Sequence, residues 1–393
     1  MKPLLGFALF AAPALCLWDY DTLEAEAKGL PGLTEAITGR FDRFPPRYYE
    51  MRLERCAAAI EQGSRDLDLF DNAGVACDRL GRGDEAIEWM RKKREILDEL
   101  ENAGQADDDH RYRYLANLGT FYAHRWLRNG KNRDALEDID LARTRISEAI
   151  ELNPDAHFGR ERYQLLALDW IMSIPEGAEP STEDSHSNLW AELGPEFAPN
   201  MWGRNVLAEQ GYADAAEGLS GLIILGDAWA SIDIFRALEL ALVDREDAYL
   251  SYLAGLRVRE LLVSGSRSLH PEFPAEQDLR FAAQNFIPEG RHARLASYFD
   301  QARTNADDWR ELRTEYIESR LAEGRHPDTD AKFWDDWSEE PAPKPPAFSM
   351  VDPAFKIFLI GMFFLLTALT LLSIFLVRRF LRHRRLRRAQ VAA

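Results

Sequence analysis

The segment from Ile357 to Val377 limits what this chain can be more than any other. Its 21 residues carry no charge, and only Gly361, Thr367, Thr370 and Ser373 dilute the apolar side chains. As a helix rising about 1.5 Å per residue it reaches about 31 Å, the span of a hydrocarbon core of roughly 30 Å. A helix that long with no polar face does not suit the surface of a water-soluble bundle. Seven arginines follow between Arg378 and Arg388, whereas Glu339, Glu340 and Asp352 stand on the other flank. This asymmetry predicts a transmembrane helix over 354–377 and a basic cytoplasmic tail over 378–393, close to anionic headgroups.

The opposite end completes a topology. Met1-Lys2 precedes an uncharged run from Leu4 to Leu15, the length of a signal-peptide core and too short to cross a bilayer. Ala12 and Ala14 give an A-x-A-like cleavage pattern, so residues 1–16 read as a signal peptide; an uncleaved amphipathic start is the alternative. Cys16 follows Leu15, where a lipoprotein signal wants a small residue, which argues against lipidation. Export, one span and a basic tail make a single-pass type I protein. The ectodomain is then expected outside a bacterial cytoplasmic membrane, in the periplasm or at the cell exterior. A eukaryotic secretory membrane is the other option, although no N-x-[ST] sequon is present.

Charge narrows the partners. The formal charge is −18, and since the tail after Val377 contributes +7, the remainder carries −25. Such a surface disfavours nucleic acid and anionic headgroups and leaves basic or neutral proteins as partners. Cys56 and Cys77 are too few for a disulfide framework; a single bridge and two buried thiols are both open.

Between the two apolar ends the chain is rich in Ala, Leu, Glu and Arg and poor in alternating β-branched runs, which predicts helices throughout. Residues 17–46 form an N-terminal segment. The stretch 176–200, rich in Pro, Ser and acidic residues, is expected to divide the ectodomain into a first helical part (47–175) and a second (201–338). The run EEPAPKPPAFSMVDP over 339–353 predicts an extended stalk.

Internal similarity carries the fold class. Leu67–Leu97 reads LDLFDNAGVACDRLGRGDEAIEWMRKKREIL. Phe70, Ala73, Gly74 and Cys77 share a helical face, Gly81 to Gly83 turn the chain, and Ala86, Ile87 and Met90 face back. This pattern resembles the tetratricopeptide repeat, a helical hairpin of about 34 residues. Lys93 departs from it, standing where the family prefers a small alanine. A second copy begins at Tyr112 with Leu115, Asn117, Leu118, Gly119 and Tyr122. It resumes with Ala142, Ile146, Ala149, Ile150 and Leu152 before Asn153-Pro154, after an interval about eleven residues too long, which predicts a lengthened hairpin. Tyr48–Ile60 resembles a half-repeat, Phe158–Met172 a further or capping helix, and Ala215–Leu242 a weaker echo with Leu225-Gly226-Asp227 at its turn. One hairpin cannot bury its own apolar face, so stacking is required. The expected architecture is all-α: a tetratricopeptide-like helical-hairpin solenoid with a C-terminal transmembrane helix.

The sequence offers no HExxH, GxSxG, phosphate loop or paired CxxC. Asp107-Asp108-Asp109-His110 has metal-binding atoms, but consecutive side chains diverge on a helix, and the run suits a helix N-terminus instead. No nucleophile–base pair can be named, so neither catalysis, a cofactor nor a metal is expected. Binding has more to stand on. The resemblance implies that first helices line a groove able to clamp an extended peptide. Asn72 and Asn117 hold equivalent places in the two hairpins, and an amide can pair with a peptide backbone as donor and acceptor. By the same register Asp71, Val75, Asp78, Arg79, Arg113, Thr120 and His124 would line the groove. The other reading of the two asparagines is that they satisfy local backbone groups. Tryptophans concentrate in the second half as helix-packing anchors, and Trp334 and Trp337 of KFWDDWSEEP are expected to dock on the domain. Function is therefore expected to be non-enzymatic: a membrane-tethered scaffold binding proteins or peptides. The alternatives are an enzyme pocket in the second half or a structural subunit of a membrane assembly.

Overall fold

The computed structural model describes residues 17–154, 159–175, 187–193 and 205–346, with 361–364, 366–367, 369–370 and 373–374 near the C-terminus. The expected signal peptide, most of the expected span and the basic tail lie outside these residues. Among the described residues no strand occurs, and no helix is long and apolar enough to cross a membrane.

Helix starts follow local chemistry. Asp66 caps α4 (Leu67–Arg79) by accepting from the Asp68 amide. Asp107 caps α6 (Asp108–Arg128) by accepting from His110 N at 3.0 Å, the role its acidic run suggests. Before and between them lie α3 (Pro46–Glu61), which has proline in its first turn, and α5 (Gly83–Asn102). After them come α7 (Glu137–Leu152) and α8 (Arg160–Ser173). Each packs on the next along the chain, from α3 to α8. Gly74 and Gly119, two residues beyond the paired asparagines, make this close packing possible. A Cβ at Gly74 would sit 3.0 Å from Met90, and one at Gly119 2.9 Å from Ile146. The extra residues of the second hairpin fall in both the helix and the connection: α6 runs to Arg128, and an irregular stretch then leads to Glu137.

The second half continues with α9 (Val206–Glu209), α10 (Ala215–Ile224), α11 (Ile232–Asp244), α12 (Ala248–Val263) and the 34-residue α13 (Glu289–Ala322). Here α8 packs on α10, α10 on α11 and α11 on α12, and α13 returns to touch α3. The N-terminal segment runs between the halves. Its first helix, α1 (Tyr20–Lys28), is followed by the short α2 (Leu33–Thr38), whose Ala36 and Ile37 are fully buried against α10, α12 and α13. Residues up to Lys344 form one unit, and of the 176–200 segment residues 187–193 are described. The described part of that segment is core: Trp190 is fully buried and donates Nε1–H to Ala237 O at 2.9 Å.

Three further details refine the sequence reading. Cys56 and Cys77 are free, buried thiols, not a bridge. Trp334 stacks on Tyr316 with ring centroids 5.7 Å apart, and Arg313 lies over its ring at 4.1 Å. The start of the expected stalk is held rather than free: Arg40 donates to the Glu340 carbonyl, and the Tyr298 hydroxyl to Pro343 O.

Candidate functional site

The extended residues leading into α1 lie against the face shared by α4 and α6. Asn117 Oδ1 accepts from Trp18 N at 2.7 Å, and its Nδ2 donates to Trp18 O at 3.0 Å and to Asp71 Oδ1 at 3.1 Å. Asn72 Oδ1 accepts from Tyr20 N at 3.2 Å, while its Nδ2 bonds Asp68 O in its own helix. The two amides thus hold one extended backbone, supplied by the chain itself. Trp18 is buried edge-on against Tyr112 at 5.5 Å, with Arg113 over its ring at 5.7 Å.

Arg52 of α3 clamps the same segment. It is fully buried, and its guanidinium reaches Asp19 Oδ2 at 3.0 Å, Asp21 Oδ2 at 2.8 Å and Asp328 Oδ1 at 2.6 Å, and it also bonds the Tyr48 hydroxyl. Every N–H of its fork finds an acceptor, which is what a buried guanidinium requires. Burial and the neighbouring Asp21 push the Asp19 carboxyl up to about 6 despite Arg52. Burial would raise Asp328 too, but its bonds and charge contact with Arg52 hold it near about 2. One side chain therefore joins residues 19–21 to the turn after α13.

Lys93, the departure from the repeat pattern, is fully buried and bonds Asp71 Oδ2 at 2.5 Å; burial lowers its pKa against the pull of Asp71. The hairpin accommodates it because the acid that meets it, Asp71, sits on α4 and is itself held by Asn117. Asp68, Asp71 and His110 bring ligand atoms within 4.8 Å of one another. Two side-chain cations already occupy this corner, Lys93 on Asp71 and Arg113 on Asp68 at 3.1 Å, and they compete with any metal ion.

The remaining residues singled out from the sequence go elsewhere. His124 Nδ1 pairs with the fully buried Asp78 at 2.8 Å, and Arg128 adds a second bond at 2.6 Å. Burial would raise Asp78, but His124 and Arg128 hold it far below the usual carboxylate range. Arg79 crosses to the second half and donates to Leu225 O at 2.5 Å and Gly226 O at 3.2 Å. Thr120 accepts from Gln164 of α8 at 3.2 Å, and Val75 is buried in the core. Asn72, Asn117 and Arg113 therefore meet on the N-terminal segment, whereas Val75, Arg79, Thr120 and His124 join helices to one another. Sequence reasoning missed Arg52, whose partners lie 31, 33 and 276 positions away. It also missed Arg160, which reaches back to Glu26 of α1. A charge inside an otherwise apolar helix face was the only available signal. No protein-family model, curated protein or solved structure matches the chain.

Proposed function

We propose that the protein is a non-enzymatic, membrane-tethered scaffold whose tetratricopeptide-like hairpins bind extended segments of other proteins. One observation carries this reading: the equivalent amides of Asn72 and Asn117 grip the main chain of residues 18–20 rather than its side chains. Backbone pairing of this kind accepts many sequences, while the Trp18 site and Arg52 add selectivity for an aromatic–acid pair. The chain's own segment rests there, so a partner engages by replacing it. The titratable clusters of α4 to α6 are each closed by internal ion pairs, which suits a holding role. For the tether, the described residues of 361–374 are helical with exposed apolar side chains. There Thr367 and Thr370 return their hydroxyls to Phe363 O and Leu366 O, a habit that satisfies polar groups in an apolar medium.

The test uses a chain lacking residues 1–31, checked for helicity, and a fluorescent peptide of residues 17–28. Saturable binding, weakened at least tenfold by Asn72→Ala with Asn117→Ala, is expected from the loss of about three hydrogen bonds. A folded truncation that ignores the peptide, or that binds it equally after both substitutions, would remove the basis for this function.

A further inference from the structure

A cavity of about 310 Å³ opens between α1, the end of α4 and the turn after α10, at the small end of the range of small-molecule sites. Its lining residues and their neighbours along the chain are all among the described residues. Tyr49 of α3 lines it and is 8 % exposed. Among the described residues its hydroxyl meets no donor or acceptor, yet the oxygen is not closed off from solvent. The three charges that act on it most strongly, Arg79, Asp21 and Asp19, all line the cavity, which places the hydroxyl at the wall. Burial keeps it protonated well above the ordinary tyrosine range, so it stands ready as a donor. Arg79 donates to Leu225 O and Gly226 O, two further lining residues, and forms no ion pair among the described residues.

A third group is open as well. Asp227 lines the same cavity, is exposed, and does not cap the short helix that follows it; among the described residues its carboxylate has no ion pair. It acts on the Arg79 charge without pairing with it. The other charges of the lining are engaged. Arg52 holds Asp19 and Asp21, Lys28 pairs with Glu24, and Arg313 with Asp42. Arg43 turns its guanidinium over the ring of Trp229, 4.6 Å away and outside the lining. What remains is a cation with a neutral donor beside it, and a separate carboxylate. A purely anionic ligand would leave Asp227 unanswered, and a purely cationic one would leave Arg79 so. A carboxylate on Arg79 and Tyr49 with an ammonium on Asp227 satisfies all three groups. Ala25, Pro31 and Ile224 supply apolar wall for the rest of the molecule. We propose that this cavity binds a free α-amino acid with an apolar side chain, its carboxylate on Arg79 and Tyr49 and its ammonium on Asp227.

The probe is L-leucine, titrated by calorimetry into the full chain in mild detergent at neutral pH. Saturable binding is expected, about tenfold tighter or more than that of isocaproate, which lacks the ammonium, or isoamylamine, which lacks the carboxylate. Tyr49→Phe and Asp227→Asn remove only groups that have no partner in the protein, so both variants are expected to melt as the wild type does. Each is expected to weaken leucine about tenfold, while Asp227→Asn leaves isocaproate binding unchanged. If a variant melts early, the two analogues decide. The proposal is overturned if leucine does not saturate, or if either analogue binds as tightly as leucine. It is overturned equally if a folded Tyr49→Phe or Asp227→Asn chain binds leucine as the wild type does.

Discussion

Replacing Arg52 by Met tests how the fold is held closed. Met fills much of the arginine's volume but leaves Asp19 without its cation and Asp328 with Arg55 alone, the two carboxylate side chains being 5 % and 4 % exposed. Removing one partner of a buried ion pair costs about 3–5 kcal/mol, a large share of the roughly 5–15 kcal/mol that stabilises a typical domain. The pH dependence gives the sharper check. Asp328 is depressed from 3.8 to about 2, so its contribution of about 2 kcal/mol is complete above about pH 4 and lost as the pH falls towards 2. Asp19 is raised to about 6, so its ionisation takes about 3 kcal/mol from the folded state as the pH rises from about 4 to 6. Without Arg52 both carboxyls escape by taking up protons at higher pH. The deficit of Arg52→Met is therefore greatest at pH 7 and shrinks steadily towards pH 3. Urea unfolding followed by tryptophan fluorescence at both pH values measures it. A deficit below about 1 kcal/mol at pH 7, or one that does not change with pH, would refute the assignment of Arg52 as the clamp.

Two other substitutions probe the packing around the same segment. Asn117→Ala removes three hydrogen bonds, two of them to the Trp18 main chain; a loss of about 1–3 kcal/mol and faster hydrogen exchange at Trp18 and Tyr20 are expected. Unchanged exchange there would mean that the Asn117 amide does not hold the segment. Gly218→Ala would put a Cβ 2.2 Å from the Tyr163 ring, so a loss of about 1–3 kcal/mol is expected in thermal unfolding, whereas Gly290→Ala meets nothing and serves as the control. Equal behaviour of the two variants would show that α8 and α10 separate freely.

Much of the helical framework is legible in the residues themselves. Asp66 and Asp107 announce helix starts because a carboxylate there meets free amides, and Gly74 and Gly119 mark where a neighbouring helix comes close. The equivalence of Asn72 and Asn117 is readable too, since both recur at one register of a repeated pattern. Their occupant is not. Residues 17–46 have no repeat signature, yet they supply the backbone on those amides and, through Ala36 and Ile37, part of the core of the second half.

The sequence by itself determined the local structure of this protein, because caps, turns and helical faces depend on residues within a few positions of each other. Tertiary structure alone decided which distant charges meet: Arg52 with Asp19, Asp21 and Asp328, Lys93 with Asp71, and Arg160 with Glu26. A buried charge is tolerated only where an opposite one arrives, and its arrival depends on how the whole chain closes. That closure brings α13 back to α3 and holds the N-terminal segment between the halves.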